Sequence, residues 1–243
     1  MFYEHAWYRS HGTLLVFGSE LVGTALLTFT ITMLLAISPL DTLVPVAIGA
    51  LLLALCNIFG ELSGAHFNPS ITLAVFSLDR RFGWVRCGAY LFAEVLGALL
   101  GLNVAVWHCS VLKNPFSVAA HASDHYTIPQ MVACEAIYTY IMTMTCLRCA
   151  IVVAASYAGG PISGACMNPA LAIAFIAKGG QWIDLLVYTV GPLSGCLGAV
   201  TSCMIIEPKI WLRRIGFRDP LVDLESCAGP ELPPVRRNKK ERS

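Results

Sequence analysis

Two Asn-Pro pairs, Asn68-Pro69 and Asn168-Pro169, carry the chemistry for which this sequence is best suited. Asparagine favours the N-cap of a helix and proline its first turn, so each pair predicts a helix N-terminus. Such an end carries roughly half a positive charge, and an Asn amide that capping does not use fully can donate a hydrogen bond. Two such ends facing each other would repel cations and would orient a neutral hydroxylic solute by its oxygen.

The two pairs belong to an internal repeat. SGAHFNPSITLAVF at 63–76 and SGACMNPALAIAF at 163–175 align at a constant offset of 100. Their first eight residues, 63–70 and 163–170, form the first and second box, which end in Ser70 and Ala170. A weaker similarity relates Glu20, Thr24 and Thr28 to Glu135, Thr139 and Thr143. The chain is therefore predicted to contain two halves, and an odd number of crossings between them would invert the second half in the membrane.

The composition indicates the environment of these halves. Of 243 residues, 56% are hydrophobic and 13% are charged, against roughly 45–50% and about 25% in soluble domains. Apolar stretches at 13–38, 43–60, 84–108, 128–157 and 182–206 each reach or approach the roughly 20 residues that cross a bilayer. Lipid-exposed backbone must be paired, which favours helices. We therefore predict an all-α membrane protein.

The predicted organisation is one membrane domain over residues 1–206, with halves at about 13–108 and 128–206, followed by a basic tail at 207–243. The tail contains the run RRNKKER and is expected to be solvated and disordered. Little sequence lies outside the membrane, and no nucleophile, metal cluster or cofactor loop is evident. The sequence thus argues against an enzyme, and we expect no cofactor, no metal and no nucleic acid.

The boxes predict two helices that are too short to cross the membrane. The apolar stretches 69–78 and 169–177 follow the prolines, and about 10 helical residues cover roughly 15 Å, half of the hydrocarbon core. Half-helices entering from opposite faces would meet N-terminus to N-terminus near the midplane. Gly64 and Gly164 would allow the incoming loops to pack closely. Glu20 and Glu135 are expected to support the loops by accepting their backbone N–H groups.

The charge distribution predicts an orientation. If both termini are cytoplasmic, fourteen of the sixteen Lys and Arg residues lie inside, and only Lys113 and Lys178 lie outside. This asymmetry obeys the positive-inside rule. If Arg148 marks the cytoplasmic turn, the returning segment from Cys149 to Tyr157 has nine residues.

At these residues the chain resembles the major intrinsic protein family, the aquaporins and aquaglyceroporins. SGAHFNPSITLA is similar to the family's first Asn-Pro-Ala box, with Ser70 in place of alanine. ELVGTALLTF at 20–29, AEVLGALLG at 93–101 and GPLSGCLGA at 191–199 resemble its first, third and sixth spans. The resemblance implies an aquaporin-like inverted repeat with two half-helices, and pore donors at Asn68 and Asn168. It also implies a homotetramer with one pore per subunit, and a cytoplasmic vestibule lined by His66.

One departure from the family pattern concerns the constriction. The residue after the second box is normally arginine in the family, and here it is Leu171. Carried over by distance from the two Asn residues, the constriction is Ile48, Ser156, Ala165 and Leu171. This uncharged ring implies a channel for water with glycerol or hydrogen peroxide. YAGGPISGACMNPALAIAF at 157–175 and KNPF at 113–116 are similar to the unorthodox intracellular aquaporins, which implies the endoplasmic reticulum or another internal membrane.

A second departure is a deficit of 15 residues. Glu20 precedes Asn68 by 48 residues, whereas Glu135 precedes Asn168 by only 33. The loss falls on the fourth and fifth spans, because residues 128–157 are too few for two crossings and a turn. Three outcomes stay open: a short fifth span that still delivers the second box, a shortened form that folds poorly, or a single crossing that inverts the rest. Charge favours the short fifth span.

Three functional hypotheses follow. The first is a passive channel for water and small neutral solutes. The second is a secondary transporter, which also uses inverted repeats but usually needs ionisable groups at the midplane. The third is a non-conducting or poorly folding shortened variant with a regulatory role, which rests on the 15-residue deficit alone.

Overall fold

A computed structural model describes residues 12–38, 41–79, 82–111, 125–145 and 147–206. Within these ranges the secondary structure is entirely helical. In chain order the helices are α1 (Thr13–Ile37), α2 (Val44–Ser63), α3 (Pro69–Leu78), α4 (Trp84–Val111), α5 (Ile128–Met144), α6 (Arg148–Ala158), α7 (Gly160–Ser163), α8 (Pro169–Ala177) and α9 (Trp182–Ile206). Helix α4 ends at Val111, so it is longer than the apolar stretch 84–108 predicted from sequence. Residues 112–124 and the tail from 207 lie outside the described ranges.

Four of these helices, α1, α2, α4 and α9, are long and apolar enough to cross a membrane. Large apolar side chains stay exposed along them, as lipid-facing residues do. Trp84 and Trp182 begin α4 and α9 and are 81% and 76% exposed. Tryptophan is typical of the two membrane–water interfaces, so these positions agree with helices that start at a bilayer surface.

The stretch 128–157, predicted as one apolar span, is not a single helix. It divides into α5, with 17 residues, and α6, with 11. A helix of 11 residues is roughly 16 Å long, about half the hydrocarbon core. Of the three outcomes considered from sequence, the structure shows a short fifth helix that still delivers the second box to the first.

Helix α5 ends at Met144 and α6 begins at Arg148, so Arg148 lies at the break between these helices, where the sequence predicted a turn. Arg148 is the first residue of α6 and is half-buried in the bundle. The start of α6 packs against α2, because a Cβ added at Gly49 would lie 3.0 Å from the Cys149 carbonyl oxygen. The Tyr157 hydroxyl at the other end bonds to the Thr42 carbonyl just before α2. A helix this short has to begin inside the bundle to reach both positions.

Each half contains one close helix pair. In the first half, a Cβ added at Gly97 of α4 would lie 2.4 Å from the Leu21 carbonyl oxygen of α1. In the second half, a Cβ added at Gly195 of α9 would lie 2.2 Å from the Ala136 carbonyl oxygen of α5. Small residues permit such backbone approach in membrane helices. Leu21 and Ala136 directly follow Glu20 and Glu135, so the same contact fixes the carboxylates.

Half-helices α3 and α8 have the bounds predicted from sequence. Each begins at a proline after an asparagine cap, and α3 has 10 residues while α8 has 9. The side-chain oxygen of Asn68 accepts from the Ser70 N–H at 2.9 Å, and that of Asn168 accepts from the Ala170 N–H at 3.0 Å. The Asn-Pro pairs thus start two short helices in the middle of the molecule.

Candidate functional site

The two half-helices meet through a crossed pair of hydrogen bonds. The Asn68 amide nitrogen donates to the Met167 carbonyl at 2.7 Å, and the Asn168 amide nitrogen donates to the Phe67 carbonyl at 2.8 Å. Each asparagine therefore caps its own helix with its oxygen and joins the opposite half with its nitrogen. Both side chains are 5% exposed, so these bonds form where water does not compete freely.

A buried carboxylate holds each incoming loop. Glu20 accepts the His66 and Phe67 N–H groups at 3.0 and 2.7 Å. Glu135 accepts the Cys166 and Met167 N–H groups at 3.1 and 2.6 Å. Neither glutamate is exposed, and charge-assisted bonds to backbone N–H groups are stronger than neutral ones. These carboxylates act on the loops and do not line the cavity described below.

The backbone of both loops is unusual in the same way. Gly64 and Gly164 have φ of 88° and 86°, a left-handed conformation that glycine adopts without strain. Two further residues in each loop also have positive φ: Ala65, Phe67, Ala165 and Met167, with values from 48° to 51°. Non-glycine residues pay for this conformation and keep it only where the surroundings enforce it. The glutamate bonds and the crossed asparagine bonds supply that enforcement.

Tyrosine and serine side chains complete each loop. The Ser63 hydroxyl accepts the Ala65 N–H and the Ser163 hydroxyl accepts the Ala165 N–H, each at 3.2 Å. The Tyr90 hydroxyl donates to the Ser63 carbonyl and the Tyr188 hydroxyl donates to the Ser163 carbonyl. Sequence reasoning missed both tyrosines. A second repeat offset of 98 relates Trp84, Tyr90 and Gly97 to Trp182, Tyr188 and Gly195, and it could have revealed them.

A series of hydrogen-bonded side chains links the first loop to α4 and has no counterpart in the second half. His66 Nδ1 lies 2.8 Å from the Thr72 hydroxyl, which donates to Glu94 at 2.6 Å. The imidazole ring stacks beside Tyr90 and Phe82, with ring centroids 4.8 and 5.9 Å away. The second half has Cys166 and Ala172 at the positions of His66 and Thr72. The first loop is thereby tied to α4 by polar contacts that the second half lacks.

Arg148 contacts the first loop from the second half. Its Nη1 and Nη2 atoms donate to the Ala65 and Gly64 carbonyls at 2.9 and 3.0 Å. The contact joins residues 83 and 84 positions apart. No sequence pattern marked Arg148 as part of the site, although it stands twenty residues before Asn168, as Ile48 stands before Asn68.

A cavity of about 470 Å³ runs past the meeting point of the half-helices. It is lined by both asparagines, by His66 and Gly164, and by all four residues assigned to the constriction: Ile48, Ser156, Ala165 and Leu171. Arg148 also lines it. The remaining box residues, Pro69, Ser70, Pro169 and Ala170, are buried and shape the helix ends rather than the cavity wall. Gly64 likewise acts through its backbone.

Comparison with known proteins gives the family. A family model described as major intrinsic protein matches residues 9–151, more than half of the chain. An aquaglyceroporin of Toxoplasma gondii is 31% identical over 193 residues, which cover 72% of this chain and 73% of that protein. The chain belongs to the major intrinsic protein family. It is an integral membrane protein of a family of channels rather than of enzymes.

Other members of the family are similar over less of their length. Aquaporin NIP1-1 of Oryza sativa subsp. japonica is 32% identical over 169 residues, or 61% of this chain. The chain spans 56% of the length of that relative. The resemblance of this major intrinsic protein to the unorthodox intracellular branch, drawn from its second box, stays a prediction.

A solved structure supports the fold. The X-ray structure of the aquaglyceroporin from Plasmodium falciparum superposes with a TM-score of 0.68, covering 83% of this chain and all of that one. Sequence identity between the two is 18%, so the likeness concerns the fold alone. The inverted-repeat architecture with two half-helices is thus the fold of this major intrinsic protein.

Proposed function

We propose that the protein is a passive channel for water and small neutral solutes such as glycerol or hydrogen peroxide. One observation carries the proposal: both asparagine amides line a single cavity beside four uncharged constriction residues. Each amide nitrogen has two N–H groups, and the crossed bond uses one. The other can donate to a solute oxygen, while the two helix N-termini disfavour cations.

The proposed solute range follows from the constriction. Ile48, Ala165 and Leu171 bring no charge, and Ser156 brings a single hydroxyl group. An apolar wall with few donors suits a solute that carries its hydroxyl groups on one side and carbon on the other. The proposed solutes therefore include glycerol as well as water.

The experiment is stopped-flow light scattering on proteoliposomes that contain the full chain. Under a sucrose gradient, shrinkage faster than that of empty liposomes is expected, and under a glycerol gradient, re-entry should follow. Leu171→Arg should lower glycerol re-entry more than water flux, because it adds bulk and charge at the constriction. Asn168→Asp should abolish flux, because a carboxylate cannot donate to the Phe67 carbonyl.

Shrinkage at the empty-liposome rate, from protein shown to be folded, would falsify the channel. A non-conducting shortened variant would then be the better proposal, and the 11-residue α6 is the observation that favours it. A secondary transporter is distinguished by solute accumulation under a proton gradient, since a channel only equilibrates.

We further propose an intracellular membrane such as the endoplasmic reticulum, cytoplasmic termini and a homotetramer. Support comes from the second-box resemblance, from the bias of Lys and Arg along the chain, and from the family resemblance respectively. Fluorescence microscopy of tagged chains checks the membrane, protease protection checks the termini, and mass measurement in detergent checks the assembly.

A further inference from the structure

The Arg148 guanidinium occupies backbone acceptors beside the first box. It bonds to the Gly64 and Ala65 carbonyls at 3.0 and 2.9 Å, and it lines the same cavity as His66 and Asn68. An arginine side chain stays protonated in proteins. A fixed positive charge therefore stands at the cavity wall, on the side of the first box.

We propose that Arg148 supplies the charged part of the cation barrier of this pore, in addition to the two helix N-termini; this inference rests on the channel function proposed above. The constriction next to the second box has Leu171 and no charge. The barrier is thus located on the first-box side of the asparagines. Arg148 becomes a specificity-determining residue that excludes cations and protons while neutral solutes pass.

The chemistry of the loop explains why an arginine does this. The Gly64 and Ala65 carbonyls hold the guanidinium, and Arg148 itself lines the cavity. Its positive charge repels a cation that enters the cavity, and this repulsion is strong where water is scarce. Removing the charge would end the repulsion.

The position of the guanidinium is fixed by the loop that it contacts. Residues 64–67 are held from two sides, because Glu20 accepts the N–H groups of His66 and Phe67 while Arg148 donates to the carbonyls of Gly64 and Ala65. Two parallel N–H···O bonds also limit rotation of the planar group. Arg148 is therefore held in one place rather than free to leave the cavity.

The internal repeat provides an independent argument. Arg148 and Ile48 each stand twenty residues before the asparagine of their own half. Ile48 and Arg148 both line the cavity, and Arg148 contacts the first box. Ile48 and Arg148 are 100 positions apart, and the same offset of 100 relates Ile71 to Leu171, which both line the cavity. The repeat thus assigns Arg148 to a constriction position of the opposite mouth.

The test compares three folded variants in proteoliposomes: Arg148→Gln, Arg148→Lys and the control Lys178→Met, which removes one exposed positive charge outside the cavity. Sodium and proton leak is measured with entrapped fluorescent indicators, together with water flux and melting temperature. Arg148→Gln keeps a donor for one carbonyl but loses the charge. We expect its cation leak to rise about tenfold or more, and Arg148→Lys to stay close to wild type.

The outcomes separate this inference from the channel itself. If wild type conducts water and Arg148→Gln leaks no more than Lys178→Met, the cation barrier is wrong and the channel stands. Equal leak from the Gln and Lys variants would assign Arg148 a structural role and overturn the inference. If wild type conducts nothing but Arg148→Gln admits cations, the barrier holds and the proposed channel fails. No conduction by any folded variant overturns both.

Discussion

The two halves of the molecule build nearly the same box on different supports. Both loops have the same sequence of positive φ values, both are held by a glutamate, and both asparagines cross to the opposite half. The helix before the first box has 20 residues, whereas the second box follows one of 11 and one of 4. The box geometry therefore depends on its own side-chain network and not on a full-length preceding helix.

The halves also differ in how much else holds the box. The first has the His66–Thr72–Glu94 chain and the Arg148 contacts. The second has Ala172 and Pro192 at the positions of Thr72 and Glu94, so its geometry depends more heavily on Glu135, Ser163 and Tyr188. The same loop backbone is therefore stabilised with additional contacts in the first half and without them in the second.

The largest expected effect tests this dependence at the glutamates. Glu135→Leu leaves two loop N–H groups and the Ser163 hydroxyl without their acceptor, and each unsatisfied buried group costs about 1–3 kcal/mol. We expect loss of the folded protein in detergent, measured by size-exclusion chromatography and melting temperature. Glu20→Leu should be less damaging, because Arg148 still holds the first loop.

The matched variants Glu135→Gln and Glu20→Gln retain one accepting oxygen and should be intermediate. A Glu20→Leu protein that is less stable than Glu135→Leu would contradict the greater dependence of the second half.

Gly97→Ala and Gly195→Ala probe what the halves share. The added Cβ would lie 2.4 Å from one carbonyl oxygen and 2.2 Å from the other, so the helices must separate, at about 1–3 kcal/mol each. Melting temperatures should fall by similar amounts. Gly88→Ala is the control, because nothing lies within 4 Å of its added Cβ. A large difference between the two main variants would show that the helix pairs are not equivalent.

Tyr188→Phe and Tyr90→Phe should each remove one hydrogen bond, worth about 1 kcal/mol. Tyr90 packs against His66 and Phe82 through its ring, and phenylalanine keeps that packing. The fall in melting temperature is expected to be larger for Tyr188→Phe, where the loop has fewer other contacts. Equal shifts would remove this distinction between the halves.

The smallest effect concerns Trp84→Ala and Trp182→Ala. Both side chains are largely exposed, so truncation should change the melting temperature by only a degree or two, corresponding to about 0.5 kcal/mol. Tryptophan emission should respond to brominated lipids that carry the bromine near the headgroup. A loss of folding in either variant would show that the residue packs within the protein.

Much of this architecture could be predicted from sequence because it depends on local features, namely the length of apolar stretches and the position of the Asn-Pro pairs. Apolar length gave four of the helices, and each Asn-Pro pair fixed a half-helix start, so Pro69–Leu78 and Pro169–Ala177 agree with expectation. The repeat at an offset of 100 then predicted that the two half-helices meet at their N-termini.

The role of Arg148 could not be predicted in the same way. A single arginine between two apolar stretches is typical of a turn at a membrane surface. Arg148 lies inside the bundle only because α6 is so short. Its position depends on where Ser163, the last residue of α7, must lie to begin the second box. Thr72 was missed for a related reason, because a side chain that bonds across the fold leaves no periodic pattern near it. Tyr90, in contrast, could have been found from the repeat at an offset of 98.

The crossed asparagine bonds have a consequence for synthesis on the ribosome. Asn68 and its acceptor at Met167 are separated by 99 residues. At roughly 5–20 residues per second, the acceptor emerges about 5–20 s after the asparagine. During that interval the Asn68 amide can hydrogen-bond only to water, a chaperone or the translocation machinery. The first half therefore cannot reach its final packing in the membrane until the second half has been translated.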